Sequence, residues 1–165
     1  MEKVSIFVDV QNIYYTTKSA YQRNFDYNRF WAEATRNRQV VTARAYTTAR
    51  GDKKQEEFQH ILRAIGFDVK LKPFIQRRDG SSKGDWDVGI TIDVIEYAQK
   101  SDIVVLASGD GDFDLLIKAI KTKFKTDSEI YGVPSLTAYS LIAEATHFKP
   151  IDEKLLLGSC GTPLI

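Results

Sequence analysis

Ile103-Val104-Val105-Leu106-Ala107-Ser108-Gly109-Asp110-Gly111-Asp112-Phe113-Asp114 runs from five apolar residues into three carboxylates spaced two apart. The apolar part, taken as a strand over Ile103–Ser108, has the continuous hydrophobicity of a strand covered on both faces. Beyond the acids, Phe113, Leu116, Ile117, Ile120 and Phe124 recur at helical spacing, which predicts a helix over Phe113–Phe124. Strand, acidic turn and helix in this order form one half of a βαβ unit. Val4–Asp9 is a second apolar strand ending on an acid.

Working outward, the same alternation covers the chain. Strands are predicted at Val40–Thr47, Phe67–Ile75, Glu129–Val133 and a short Lys149–Ile151. Helices are predicted at Ile13–Tyr21, Asn28–Arg36, Lys53–Ile65, Trp86–Lys100 and Ser135–Ala145. This pattern implies an α/β fold: a mostly parallel central sheet of five to six strands with helices on both faces. In such sheets, sites form outside the carboxyl ends of the strands, which is where Asp9, Asp110 and Asp112 fall. A single domain is expected over residues 1–157, followed by an irregular C-terminal tail, 158–165. The polar stretch Arg77–Gly84 reads as a loop.

The composition narrows the function classes. The 23 basic and 22 acidic residues nearly cancel, so net charge does not argue for a nucleic-acid or membrane partner. The lone Cys160 rules out an internal disulfide framework and a cysteine-based zinc site. The chain lacks an apolar run long enough to span a bilayer and opens on a strand pattern rather than a signal peptide, so a cytoplasmic location is expected.

Close carboxylates repel one another and raise one another's pKa unless a cation sits among them. Oxygen ligands of this kind suit Mg²⁺ or Mn²⁺ better than metals that favour His or Cys. The competing explanation is helix-start chemistry, since Asp9 or Asn12 could cap one helix and acids suit the first turn of another. Asn12 is well placed for such a cap. Asp114 is assigned to the first turn and away from the site. In Lys83-Gly84-Asp85-Trp86-Asp87, Asp85 is the expected N-cap and Asp87 the acid that reaches the sheet edge. Asp93 lies about 120° further round that helix, and is expected to support the site or to pair with a base.

A dinucleotide loop is excluded because Asp114 stands where a third glycine is needed and the acids would repel a pyrophosphate. No nucleotide cofactor is therefore expected. His60 and His147 flank no nucleophile and read as surface or structural residues. Cations cluster at Arg44, Arg50, Lys53 and Lys54, at Arg77, Arg78 and Lys83, and along Lys118–Lys125, with Tyr14, Tyr15, Tyr46 and Trp86 as stacking surfaces. Such a mixture suits single-stranded nucleic acid. Arg50, Lys53, Arg77, Arg78 and Lys83 are the candidate contacts.

Three blocks together resemble the NYN domain, a PIN-like nuclease fold, with the bacterial LabA-like branch nearest. They are Ile6-Phe7-Val8-Asp9-Val10-Gln11-Asn12-Ile13, Lys83-Gly84 with Asp87-Val88 and Asp93, and Ser108-Gly109-Asp110-Gly111-Asp112-Phe113. The resemblance spans roughly Glu2 to Ile151. It implies a three-layer α/β/α Rossmann-like domain, a Mg²⁺ or Mn²⁺ site and endoribonuclease activity, and the expected substrate is single-stranded RNA. The acids carried over are Asp9, Asp87, Asp110 and Asp112, with Asn12, Lys83, Asp93 and Ser108 in support. Members of the family have one apolar residue between that glycine and its acid, whereas Asp85 and Trp86 both intervene here. Asp87 is preferred because Val88 follows it and the interval to Asp93 is kept; Asp85 is the alternative. A non-catalytic RNA- or protein-binding module on the same fold is the competing expectation. A homodimer is compatible with either.

Overall fold

Strand β1, Glu2–Asp9, shows why the chain folds into three layers. Val4, Ile6 and Val8 point to one face and Phe7 to the other, and all four are fully buried. A strand buried on both faces sits inside a parallel sheet, where backbone groups pair on either side. The computed structural model describes residues 1–73, 75–76, 82–83 and 85–158, and Glu2–Pro150 there carries the whole sheet.

The remaining elements are α1 Val10–Tyr21, α2 Tyr27–Thr35, β2 Arg38–Ala49, α3 Lys53–Ile65, β3 Asp68–Pro73, β4 Ile75–Gln76 and β5 Ser82–Lys83. They continue with α4 Asp87–Ala98, β6 Ile103–Ala107, α5 Asp114–Phe124, β7 Asp127–Gly132, α6 Tyr139–Glu144 and β8 His147–Pro150. Six strands form one sheet in the order β3-β2-β1-β6-β7-β8, and every pairing is parallel. Strands β4 and β5 make a separate two-residue antiparallel pair. The expected α/β class and its parallel sheet are thus realised.

Two cores sandwich the sheet. On one face Ile13, Phe30, Phe58 and Leu62 from α1–α3 meet Val4, Ile6, Val8 and Val105. On the other, Ile90, Val94, Leu116, Ile117 and Leu141 from α4–α6 meet Phe7, Val104 and Leu106. The sheet order reverses direction between β1 and β6. That switch point opens a crevice at the strands' carboxyl ends.

Several expected boundaries move. Helix α1 begins at Val10 rather than Ile13, because Asp9 caps it directly. The helix expected over Ser135–Ala145 is a 3₁₀ turn, Pro134–Leu136, followed by the short α6. Pro134 starts the turn, and Ala138 N then donates to Gly109 O (3.0 Å) instead of continuing a helix. The strand expected over Lys149–Ile151 is β8, shifted back to His147 by its register with β7. Of the C-terminal tail, only Gly158 lies among the described residues.

Candidate metal centre

The crevice is built by three chain segments. Asp9 ends β1; its Oδ1 accepts from Asn12 N (3.4 Å), and its Oδ2 accepts from Ser108 Oγ (3.3 Å). Of the two cap candidates, Asp9 takes the role and Asn12 does not, since the helix starts three residues earlier than expected. Asn12 is left to cross the switch point, where its Oδ1 accepts from Gly109 N (2.9 Å). Ser108 Oγ also accepts from Asp110 N (3.2 Å), so one buried hydroxyl ties both acidic segments together.

Asp110 stands before a 3₁₀ turn, Gly111–Phe113, and its Oδ1 accepts from Asp112 N (2.9 Å). Asp114 opens α5 as a first-turn acid, as expected. The glycines in this run are there for room. A Cβ on Gly109 would lie 2.8 Å from Leu136 O, and one on Gly111 would lie 2.8 Å from Ala138 Cβ. The 134–138 segment thus presses the acidic turn into place.

Asp87, in the first turn of α4, supplies the third wall. Carboxylate oxygens of Asp87, Asp110 and Asp112 all lie within 4.8 Å of one another. Asp9 is outside that closest group but lines the same open cleft, of about 310 Å³, with Gln11, Asn12, Tyr15, Asp85, Asp87 and Asp110. Asp85 does not cap α4: Trp86 occupies the cap position, and no side chain makes the cap bond. Asp85 instead faces the cleft as one more acid.

The electrostatics follow from this crowding. Burial raises the Asp9 carboxyl from 3.8 to about 6 against its two hydrogen bonds, and the charges of Asp110 and Asp85 add to the rise. Burial also raises Asp87 to about 7, helped by a hydrogen bond with Asp110 and by the charges of Asp110, Asp9 and Asp85. A cleft that destabilises its own carboxylates is matched to a positive ion. The all-oxygen donor set, in a wet and half-open cleft, fits a hard divalent cation that keeps several waters.

Asp93 stands elsewhere. It accepts from Tyr46 Oη (2.7 Å) and pairs with Arg44 (2.9 Å) under α4. Of its two anticipated roles it takes the structural one, and Arg44 is withdrawn from the basic surface. Tyr46 is buried, so it offers no stacking face. Arg50 and Lys53 are exposed near the start of α3. His60 and His147 are exposed too. Arg77 and Arg78 lie outside the described residues, as does the side chain of Lys83.

What motif reading did not assign is the anchor of α4. The Trp86 Nε1–H donates to Thr47 O (2.8 Å), its ring packs edge-on against Tyr46 (5.3 Å), and Lys72 Nζ lies 4.5 Å from the ring centroid. The available signal was a tryptophan between two acids at a helix start.

Fold and cleft together define a Rossmann-like α/β domain with an acidic site at its switch point. Residues 3–152 match the NYN domain family, and the chain belongs to it. It is 29% identical over 132 residues to the low amplitude and bright protein LabA of Synechococcus elongatus, covering 73% of this chain and 69% of that protein. It superposes with a TM-score of 0.91 on the crystal structure of a protein of unknown function from Vibrio parahaemolyticus. That protein is 56% identical, with 94% of this chain and 96% of that one covered. Among the described residues, no helix is long and apolar enough to cross a membrane.

Proposed function

We propose that this protein is a metal-dependent nuclease that cleaves phosphodiester bonds of single-stranded RNA in the acidic cleft. The observation that carries the reading is the meeting of Asp87, Asp110 and Asp112 within 4.8 Å, drawn from two separate segments. Family membership supports it.

Asp87, Asp110 and Asp112, with Asp9 behind them, are the residues that would hold Mg²⁺ or Mn²⁺. Such an ion, when bound, neutralises phosphate charge and makes water a better nucleophile. The chain's own residues do the rest. Asp9 sets the spacing of the two segments through Ser108, and Asn12 locks the backbone at Gly109. Asp110 or Asp112 takes up the proton released by the attacking water. Tyr15, 54% exposed on the cleft wall, offers a face for a base, and Arg50 and Lys53 offer charge for the backbone. Lys83 is assigned to the leaving oxygen on motif grounds.

The test is cleavage of labelled single-stranded RNA with Mn²⁺ or Mg²⁺, beside a chelator control and the Asp110→Asn/Asp112→Asn double variant. Metal-dependent cutting by the wild type alone is expected. Full activity in the double variant, or indifference to chelator, overturns the reading. Tight RNA binding in chelator with no cutting in either metal would favour a binding module instead.

A further inference from the structure

A second, smaller cavity adjoins the acidic cleft. It holds about 70 Å³ and lies beyond the carboxyl ends of β1 and β2, beside the start of α3. Gln11 and Tyr15 line both spaces, so they form the partition between them. The far wall is made by Val10, Tyr14, Thr47, Thr48, Arg50 and Gln55.

The chemistry of this wall differs from that of the cleft. The cleft carries carboxylates, whereas this cavity offers amides, hydroxyls and one cation, Arg50, beside an aromatic pair. Tyr14 and Tyr15 meet edge to face with centroids 5.5 Å apart, a contact that favours one orientation of the exposed Tyr15 ring. Gln55 is buried, and its Oε1 accepts from Arg50 N (2.6 Å), which fixes the amide. Thr47 is equally buried, and strand alternation puts its side chain with Ala43 and Ala45 on the face that α1 and α3 cover, toward the cavity. An aromatic face beside fixed donors and acceptors is how proteins hold an unstacked base: the ring stacks and the edge is hydrogen-bonded. Arg50 on the same wall suits the phosphate that a nucleotide carries with its base, and an apolar ligand would leave the amides unsatisfied.

We infer that this cavity receives the edge of the nucleobase of a nucleotide adjoining the cleaved phosphodiester, the base stacked on the exposed Tyr15 with that edge against Thr47 and Gln55. The inference rests on the nuclease reading for its placement beside a reacting phosphate. It goes further by naming where substrate selectivity resides.

Binding without metal separates the two. Short fluorescent single-stranded RNA oligonucleotides carrying one abasic position, moved stepwise along the strand, are titrated in EDTA against wild type, Tyr15→Ala, Tyr15→Phe and Thr47→Val. One abasic position should weaken wild-type binding roughly tenfold, the loss typical of removing one stacked base. That position should cost nothing further in Tyr15→Ala, and Tyr15→Phe should behave as wild type. Thr47→Val should change the ranking of A, C, G and U at that position while leaving the abasic oligonucleotide unaffected. Equal affinity at every abasic position, or a Tyr15→Ala loss that is the same with and without the base, overturns the inference. Parallel Mn²⁺ reactions keep the outcomes distinct. Base-dependent binding without cleavage leaves this site standing and removes the nuclease reading; cleavage without base dependence does the reverse.

Discussion

The indole N–H of Trp86 donates to Thr47 O at 2.8 Å, which ties the start of α4 to the carboxyl end of β2. Asp87 follows in the chain, so this bond determines where its carboxylate stands relative to Asp110. A Cβ on Gly89 would lie 2.6 Å from the Trp86 ring, so the ring fills the first turn it anchors.

Trp86→Phe keeps an aromatic ring but removes the donor, and leaves Thr47 O without that partner. Stability should fall by about 1–3 kcal/mol, and Mn²⁺-dependent cleavage by about tenfold or more through misplacement of Asp87. Urea midpoints and single-turnover rates measure the two. An unchanged rate would show that α4 is positioned by its core contacts alone.

The acidic cleft should make metal-free stability depend on pH. Asp9 has a folded-state pKa of about 6 against 3.8 ordinarily, so the folded protein holds that proton more tightly than the unfolded chain. Its contribution is fully present below pH 4 and is lost as pH rises through about 6; Asp87 extends the window to about 7. For Asp9 the difference amounts to roughly 3 kcal/mol at most. In EDTA, Tm should therefore decline between pH 4.5 and 7.5, apart from the protein's other titrations. Asp9→Asn should flatten that decline by calorimetry. Mn²⁺ should raise Tm more at pH 7.5 than at pH 5, because protons compete for the same oxygens.

Asp93→Asn gives a prediction of the opposite kind. It takes the charge away from Arg44, which is mostly buried, and should cost on the order of 2–3 kcal/mol. Asp93 lies outside the cleft, so Mn²⁺ affinity measured by calorimetric titration should change by less than threefold. A large loss of affinity without loss of stability would make Asp93 part of the metal site.

Gly109→Ala tests the packing of the acidic turn. Its Cβ would stand 2.8 Å from a main-chain oxygen, Leu136 O, which has no rotamer by which to yield. A destabilisation of about 1–3 kcal/mol is expected, with lost cleavage from displaced Asp110 and Asp112. Chemical denaturation and the RNA assay read these separately. Wild-type behaviour in both would show that the 134–138 segment moves aside freely.

The sequence by itself determined the layers and the acids. Val4–Val8 and Ile103–Ala107 are apolar at every position or nearly so, and only a strand covered on both faces uses such a run. Asp9, Asp110 and Asp112 were legible because they sit at the ends of those strands. Tertiary structure alone decided which side chains share a space. Asp87 comes from a segment whose register the motif left open between Asp85 and Asp87; both acids line the cleft, and Trp86 anchors that helix start by bonding to a strand 39 residues away. Asp93 carries the same charge but faces Arg44 and Tyr46, because helical rotation turns it under α4. The cavity behind Tyr15 joins α1, β2 and α3 and has no local signature, since strand pairing and helix docking, rather than periodicity, bring its walls together.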